Sequence, residues 1–320
     1  MNNGMKMKKT AVIFPGQGSQ FVGMGKEFFD TDRDAASLMK LAQGTSGFPL
    51  EKLCQDGSLE DLTRVLYLQP AMTVTNLICW QALAKAMPGL QPAFFAGHSL
   101  GEYSALCAAG VLSAEDCLAL VTRRGELMER EGEANPGGMR AVLGMTIEEI
   151  DALLESYSGG GVIVVANHNS EKQVVVSGNT EGLDGFSSVC SDQGAKVIPL
   201  NVSVANHSPL VAGAVEDFAD FMKGIRFNTP EVPVLFNVTG AEESDPAVIR
   251  EIMARQIASR VRWFDVVTAM VNDGVEVFVE VGPKWVLTGL MKKIVPRGAV
   301  TCIQFDTPEG LGKVVAAITD

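Results

Sequence analysis

Ala96-Gly97-His98-Ser99-Leu100-Gly101-Glu102 contains the pattern G-x-S-x-G, and the residues on either side decide how it is read. Pro92 to Ala96 before it is apolar and aromatic, as a short buried strand would be. Tyr103 to Ala109 after it is rich in small side chains that suit a helix. Strand, tight turn and helix are the context in which the pattern makes a nucleophile elbow. Such a turn strains the serine backbone and pushes its hydroxyl clear of the sheet. Gly97 and Gly101 fit because a β-carbon at either would meet neighbouring backbone. The Leu100 N–H then stands at a helix N-terminus, where partial positive charge can stabilise an oxyanion. Ser99 is therefore the candidate nucleophile. The competing reading is a strand–turn–helix with a purely structural role.

Outward from this stretch, the chain of 320 residues is long enough for one large or two modest domains. At 47% hydrophobic and 20% charged it is globular in composition. A net charge of -12 excludes nucleic acid or an anionic membrane surface as the main partner. Six cysteines are scattered without a C-x-x-C, which points to buried thiols in a reducing compartment and to neither a disulfide framework nor a metal site. No apolar run is long enough for a signal peptide or a membrane span, so the cytoplasm is the expected location.

Residues 11–14 read as a buried strand, followed by the loop Pro15-Gly16-Gln17-Gly18-Ser19-Gln20. Its G-x-G lacks the third glycine of a dinucleotide fingerprint, so that site is rejected. Two readings stay open: a tight turn, or a loop aiming backbone N–H groups at a site. Helices with short loops are expected from Met24 to Leu68, and Gln69-Pro70 is expected to open a long apolar helix to about Met87. Ser113, with Asp116 three residues on, caps the next helix, which carries Arg123 and Arg124. From 135 to 201 the expected order is strand, helix, strand, strand, helix, strand, a split βαβ or ferredoxin-like unit. Residues 11–134 and 202–320 would then form one larger α/β subdomain around this insert, and 1–10 a disordered or tag-like leader.

A nucleophilic serine needs a base, and the chain has three histidines. His98 adjoins Ser99 on a sharp turn, so the two side chains point apart; a ring packed beneath the elbow is expected. His168, in Asn167-His168-Asn169-Ser170, reads as a solvated turn. Elimination favours His207, where the chain re-enters the larger subdomain, with an ordinary loop histidine as the alternative.

Gly16-Gln17-Gly18-Ser19-Gln20, Gly97 to Glu102, Arg124-Gly125, Asn206-His207 and Glu280-Val281-Gly282-Pro283 stand in the order and spacing of the malonyl-CoA:acyl-carrier-protein transacylases. The chain resembles that family from about residue 11 to 305. The resemblance implies an α/β-hydrolase-like large subdomain with an inserted ferredoxin-like small one. It also implies ping-pong transfer of malonyl from malonyl-CoA to the phosphopantetheine thiol of an acyl carrier protein, through a Ser99 ester. Residue by residue, it makes His207 the base, the Gln17 and Leu100 N–H groups the oxyanion hole, and Arg124 the holder of the malonyl carboxylate. The Gln256 carbonyl would orient His207 where many serine enzymes use an acid. Neither a metal nor a bound cofactor is implied, since coenzyme A is a substrate.

The sequence departs from the family at His168, where relatives often have an aromatic, and at Glu171, where proline is common. Val204, three before His207, stands where polyketide acyltransferases that choose methylmalonyl tend to have tyrosine; malonyl is therefore expected. Acyl carriers of these pathways are acidic, so an acidic enzyme needs a local basic patch. Lys284, Lys292, Lys293 and Arg297, in a stretch without Asp or Glu, are the candidate dock. The alternatives are a stand-alone acyltransferase of a polyketide synthase, a serine hydrolase or thioesterase, and a non-catalytic docking subunit.

Overall fold

The computed structural model describes residues 7–319. In chain order its strands are β1 (Thr10–Phe14), β2 (Phe94–Gly97), β3 (Gly138–Leu143), β4 (Ile163–Ser170), β5 (Gln173–Gly178), β6 (Lys196–Pro199), β7 (Val234–Leu235), β8 (Val277–Val281) and β9 (Thr301–Phe305). One sheet runs β7-β2-β1-β8-β9 and is parallel throughout. The other runs β4-β5-β3-β6 and is antiparallel.

Parallel strands with helices on both faces are apolar on both faces, and β1 shows this: all five residues are buried. Successive side chains alternate between faces. Val12 and Phe14 join the main core with the Val65–Ala86 helix, while Ala11 and Ile13 join a second core with Trp263, Val266 and Val267. The antiparallel sheet packs one face on the Ile147–Ser156 and Thr180–Asp192 helices through Val142, Val174, Val176, Ile150 and Phe186. Its other face, with Ala141 and Val175, is turned to the groove described below. The architecture is α/β, an α/β-hydrolase-like large subdomain with a ferredoxin-like small one, as the element order implies.

Two expectations shift. Thr10 is in β1, Lys9 Nζ pairs with Asp273 at 2.6 Å, and the Lys8 N–H donates to the Ile318 carbonyl at 2.9 Å. A leader over 1–10 is thus corrected at its end; 1–6 lie outside the described residues. The long helix begins at Val65, with Pro70 inside it. Its apolar sequence on every face makes burial outweigh the one hydrogen bond that Pro70 cannot donate.

Candidate active site

The elbow forms between β2 and the Gly101–Ala108 helix. Ser99 has φ 49°, in the left-handed region that non-glycine residues rarely adopt. A β-carbon on Gly97 would stand 2.0 Å from the Gly101 carbonyl carbon, and one on Gly101 would stand 2.1 Å from the Phe14 oxygen. Both glycines are therefore required by close approach of backbone. Asn237, after β7, holds the strained turn: its Oδ1 accepts from Ser99 N at 2.6 Å and its Nδ2 donates to the Gly97 carbonyl at 2.8 Å. β1 pairs with β2 up to Phe14 and Gly97, so the Pro15–Gln20 loop emerges beside the elbow. A β-carbon on Gly16 would lie 2.5 Å from the His98 oxygen and 3.4 Å from Leu100 N. Among the described residues, neither Gln17 nor Leu100 gives its backbone N–H to a protein acceptor.

His207 also has a positive φ, 59°, and its N–H donates to the Ile257 carbonyl at 3.0 Å. Nε2 lies 2.8 Å from Ser99 Oγ. Nδ1 lies 2.9 Å from the Ser259 carbonyl and 3.1 Å from the Gln256 carbonyl. Carbonyls only accept, so the proton sits on Nδ1 and Nε2 is the acceptor for the serine hydroxyl. Burial, reinforced by the nearby Arg124 cation, pushes the imidazole down to about 3. It is neutral, and able to take a proton, across the physiological range.

Arg124, on the Ala114–Ala134 helix, is 1% exposed. Its acceptors are neutral oxygens: Nη1 donates to Gln69 Oε1 at 2.6 Å, and Nη2 to Gln256 Oε1 and Ser99 Oγ, both at 3.2 Å. The Tyr103 ring packs 5.6 Å from the guanidinium carbon. Glu102 is fully buried below; its Oε1 accepts from Asn237 N at 2.7 Å and its Oε2 from Gln256 Nε2 at 2.5 Å. Burial pushes its carboxyl up to about 7. Serine, base, a guanidinium with only neutral direct acceptors and two free N–H donors meet at the carboxyl ends of β1 and β2, the crevice where open parallel sheets bind ligands.

Residues 11–300 match the family model described as the acyl transferase domain. The chain belongs to the acyl transferase family. A malonyl CoA-acyl carrier protein transacylase of Haemophilus influenzae is 39% identical over 290 residues, 90% of this chain and 93% of its own. One from Bacillus subtilis is 38% identical over 290 residues, 90% and 91% of the two chains. Among solved structures, an acyl carrier protein S-malonyltransferase from Vibrio cholerae superposes with a TM-score of 0.90 at 37% identity, over 96% of this chain and 99% of that one. A type II PKS acyl carrier protein in complex with its malonyl-transacylase also matches, with a TM-score of 0.90 at 34% identity over 97% and 99%.

In this acyl transferase, a groove of about 170 Å³ leads along the elbow between the sheets. Gly16, Gln17 and His98 line one side, Ala141, Asn167, Asn169 and Val175 another, and Val286, Leu287 and Leu290 a third. His98 is not beneath the elbow: its half-buried ring lines this groove, with Nε2 2.8 Å from Asn169 Oδ1 and Trp263 5.5 Å away. His168 is not a solvated turn. β4 continues through it to Ser170 by pairing with β5, His168 opposite Val174; its N–H donates to the Val261 carbonyl at 2.8 Å, and its ring lies against Phe264 at 4.9 Å. Arg123 pairs with Glu126 near the surface at 2.9 Å. Lys284, Lys292, Lys293 and Arg297 are exposed, with Lys293 Nζ donating to Gln173 Oε1 at 2.7 Å.

Sequence reasoning missed Gln69, Glu102, Asn169, Asn237 and the Ser259 carbonyl. Glu102 stood within the motif itself, but nothing local says that its carboxylate is buried. Its partners lie 135 and 154 residues away. Among the described residues no cluster of His, Cys, Asp and Glu could hold a metal ion, and no helix is long and apolar enough to cross a membrane.

Proposed function

We propose that this protein transfers malonyl from malonyl-CoA to the phosphopantetheine thiol of an acyl carrier protein, supplying extender units for fatty acid synthesis in the cytoplasm. Ser99 Oγ attacks the thioester carbonyl while its proton passes to His207 Nε2. The Gln17 and Leu100 N–H groups hold the oxyanion. The intermediate collapses, and the coenzyme A sulfur leaves with the proton from His207. The carrier thiol then binds and gives its proton to His207, its sulfur attacks the ester, and Ser99 Oγ leaves with that proton. The reaction calls for neither metal nor bound cofactor.

The observation that carries this reading is Arg124, a buried guanidinium 3.2 Å from the nucleophile whose protein acceptors are all neutral. Its planar fork matches a carboxylate through two parallel hydrogen bonds. A hydrolase acting on simple acyl groups has no use for it, and a non-catalytic scaffold has none for the Ser99–His207 pair. Mass spectrometry after exposure to malonyl-, methylmalonyl- and acetyl-CoA tests it. A covalent malonyl adduct, formed in preference and absent from Ser99→Ala, is expected. No adduct, or rapid release of malonate to water without a carrier, would defeat the reading. Likeness to a transacylase solved with a type II PKS carrier makes a polyketide carrier the second acceptor to assay.

A further inference from the structure

Glu102 sits wholly buried on the first turn of the Gly101–Ala108 helix, and the reaction steps above do not use it. Its two oxygens face two different loops. Oε1 receives the backbone N–H of Asn237, and Oε2 receives the side-chain NH₂ of Gln256. Both oxygens are met by N–H donors and accept from them, and this dictates which way the Gln256 amide turns. The same NH₂ also donates to the Ser99 carbonyl at 2.8 Å. The Gln256 Oε1 is thereby left facing Arg124 Nη2. Turned over, the amide would set its NH₂ against the guanidinium and its oxygen against the Ser99 carbonyl, with two repulsive contacts in place of two bonds.

The arrangement also places charge. Arg124 is buried, and a buried cation needs a compensating anion nearby. In its ionised form Glu102 supplies it, one amide removed from the guanidinium. A carboxylate in direct contact would have to be displaced by any incoming one; an amide oxygen gives way more easily. Building on the function proposed above, we infer that Glu102 is a positioning residue that locks the Gln256 amide, and so aims Arg124 and sets selectivity for acyl groups that end in a carboxylate.

The test is the rate of Ser99 acylation by malonyl-CoA and by acetyl-CoA, read from the mass of the adduct. Variants are Glu102→Gln, Glu102→Asp, Gln256→Ala and the double variant Glu102→Gln with Gln256→Ala. In Glu102→Gln the Asn237 N–H cannot turn, so it keeps the new side chain's oxygen and leaves an NH₂ facing Gln256. The malonyl-to-acetyl ratio should fall by about tenfold or more, the scale of one hydrogen bond to a charged group. Gln256→Ala should lower the ratio similarly, and the double variant should lower it no further. Glu102→Asp, still acceptor-only, should keep most of the ratio. Equal losses for both substrates, or additive losses in the double variant, would overturn the inference. If Glu102→Gln does not fold, the other single variants decide: the ratio must fall in Gln256→Ala and persist in Glu102→Asp, and the reverse overturns it. A failure of the underlying function would show in the unaltered protein, as no malonyl adduct or no preference over acetyl. A failure of this inference shows only in the variants.

Discussion

The floor beneath Ser99 and the groove above it are both built of amides and charged or aromatic rings, yet they are held differently. In the floor, Gln69, Glu102, Arg124, Asn237 and Gln256 come from five separate stretches and bond to one another or to the elbow backbone. In the groove, His98 and Asn169 are joined across the sheets, while Ala141, Val175, Leu287 and Leu290 make much of the remaining wall apolar. The floor fixes groups whose placement enters the barrier directly, where small displacements are costly. The groove suits a flexible arm recognised through several modest contacts. Changes to the floor should therefore act on the chemical step by orders of magnitude, and changes at the groove mouth on encounter by small factors.

The sharpest way to break this contrast is His207. His207→Ala should slow acylation by roughly 10²–10⁴, the loss expected with a general base, and equally for malonyl- and acetyl-CoA. An unchanged rate would hand the role to another base. Acidity sharpens the point. A group whose folded pKa is depressed stays deprotonated as pH falls, so His207, held at about 3, remains a base well into acid. A histidine at its ordinary value would be only about 3% neutral at pH 5. Acylation by acetyl-CoA, which has no carboxylate for Arg124, should hold its rate from pH 7 to pH 5. A fall of tenfold or more over that interval would mean that the imidazole is not shifted.

Next in size is Arg124. Arg124→Ala removes a charged hydrogen-bonding partner from the malonyl group, and malonyl-CoA acylation should fall by about one to two decades. Acetyl-CoA should lose little or gain, since the variant opens space without removing a contact it uses. Parallel losses would place Arg124 among the groups that merely hold the elbow.

Much of this was legible because the deciding signals are local. The apolar runs of β1 and β8, the crowded glycines around Ser99 and the order of elements from 138 to 199 each declare themselves within a few residues. What escaped depends on residues brought together from afar. His168 looked solvated because its neighbours Asn167 and Asn169 are polar; it pairs with Val174 of the adjacent β5, and the Val261 backbone and Phe264 ring that cover it come from far along the chain. Glu102 stands in the first turn of a helix, where macrodipole electrostatics alone would account for an acid. Only the arrival of Asn237 and Gln256 reveals a buried carboxylate. The second acceptor of His207, the Ser259 carbonyl, is a backbone atom that no residue type announces.

The smallest effect is expected at the mouth. The Val286–Ile294 helix has two faces: Leu287 and Leu290 line the groove, while Lys292 and Lys293 are exposed in its last turn. Lys284, in a left-handed conformation at φ 60°, and Trp285, 71% exposed, stand just before it. The lysines complement the negative end of their own helix, and that local role alone would explain them. If they also receive an acidic carrier, they act on a partner that must overcome a net charge of -12. Lys292→Glu with Lys293→Glu should then raise KM for the carrier by about fivefold, on the order of 1 kcal/mol for exposed charges. The variant should leave the malonyl-CoA half-reaction nearly unchanged, because both lysines are exposed and bond to none of the floor residues. It should also flatten the salt dependence of transfer. Helix stabilisation alone predicts the opposite pattern: a lower melting temperature with both half-reactions moving together, or neither.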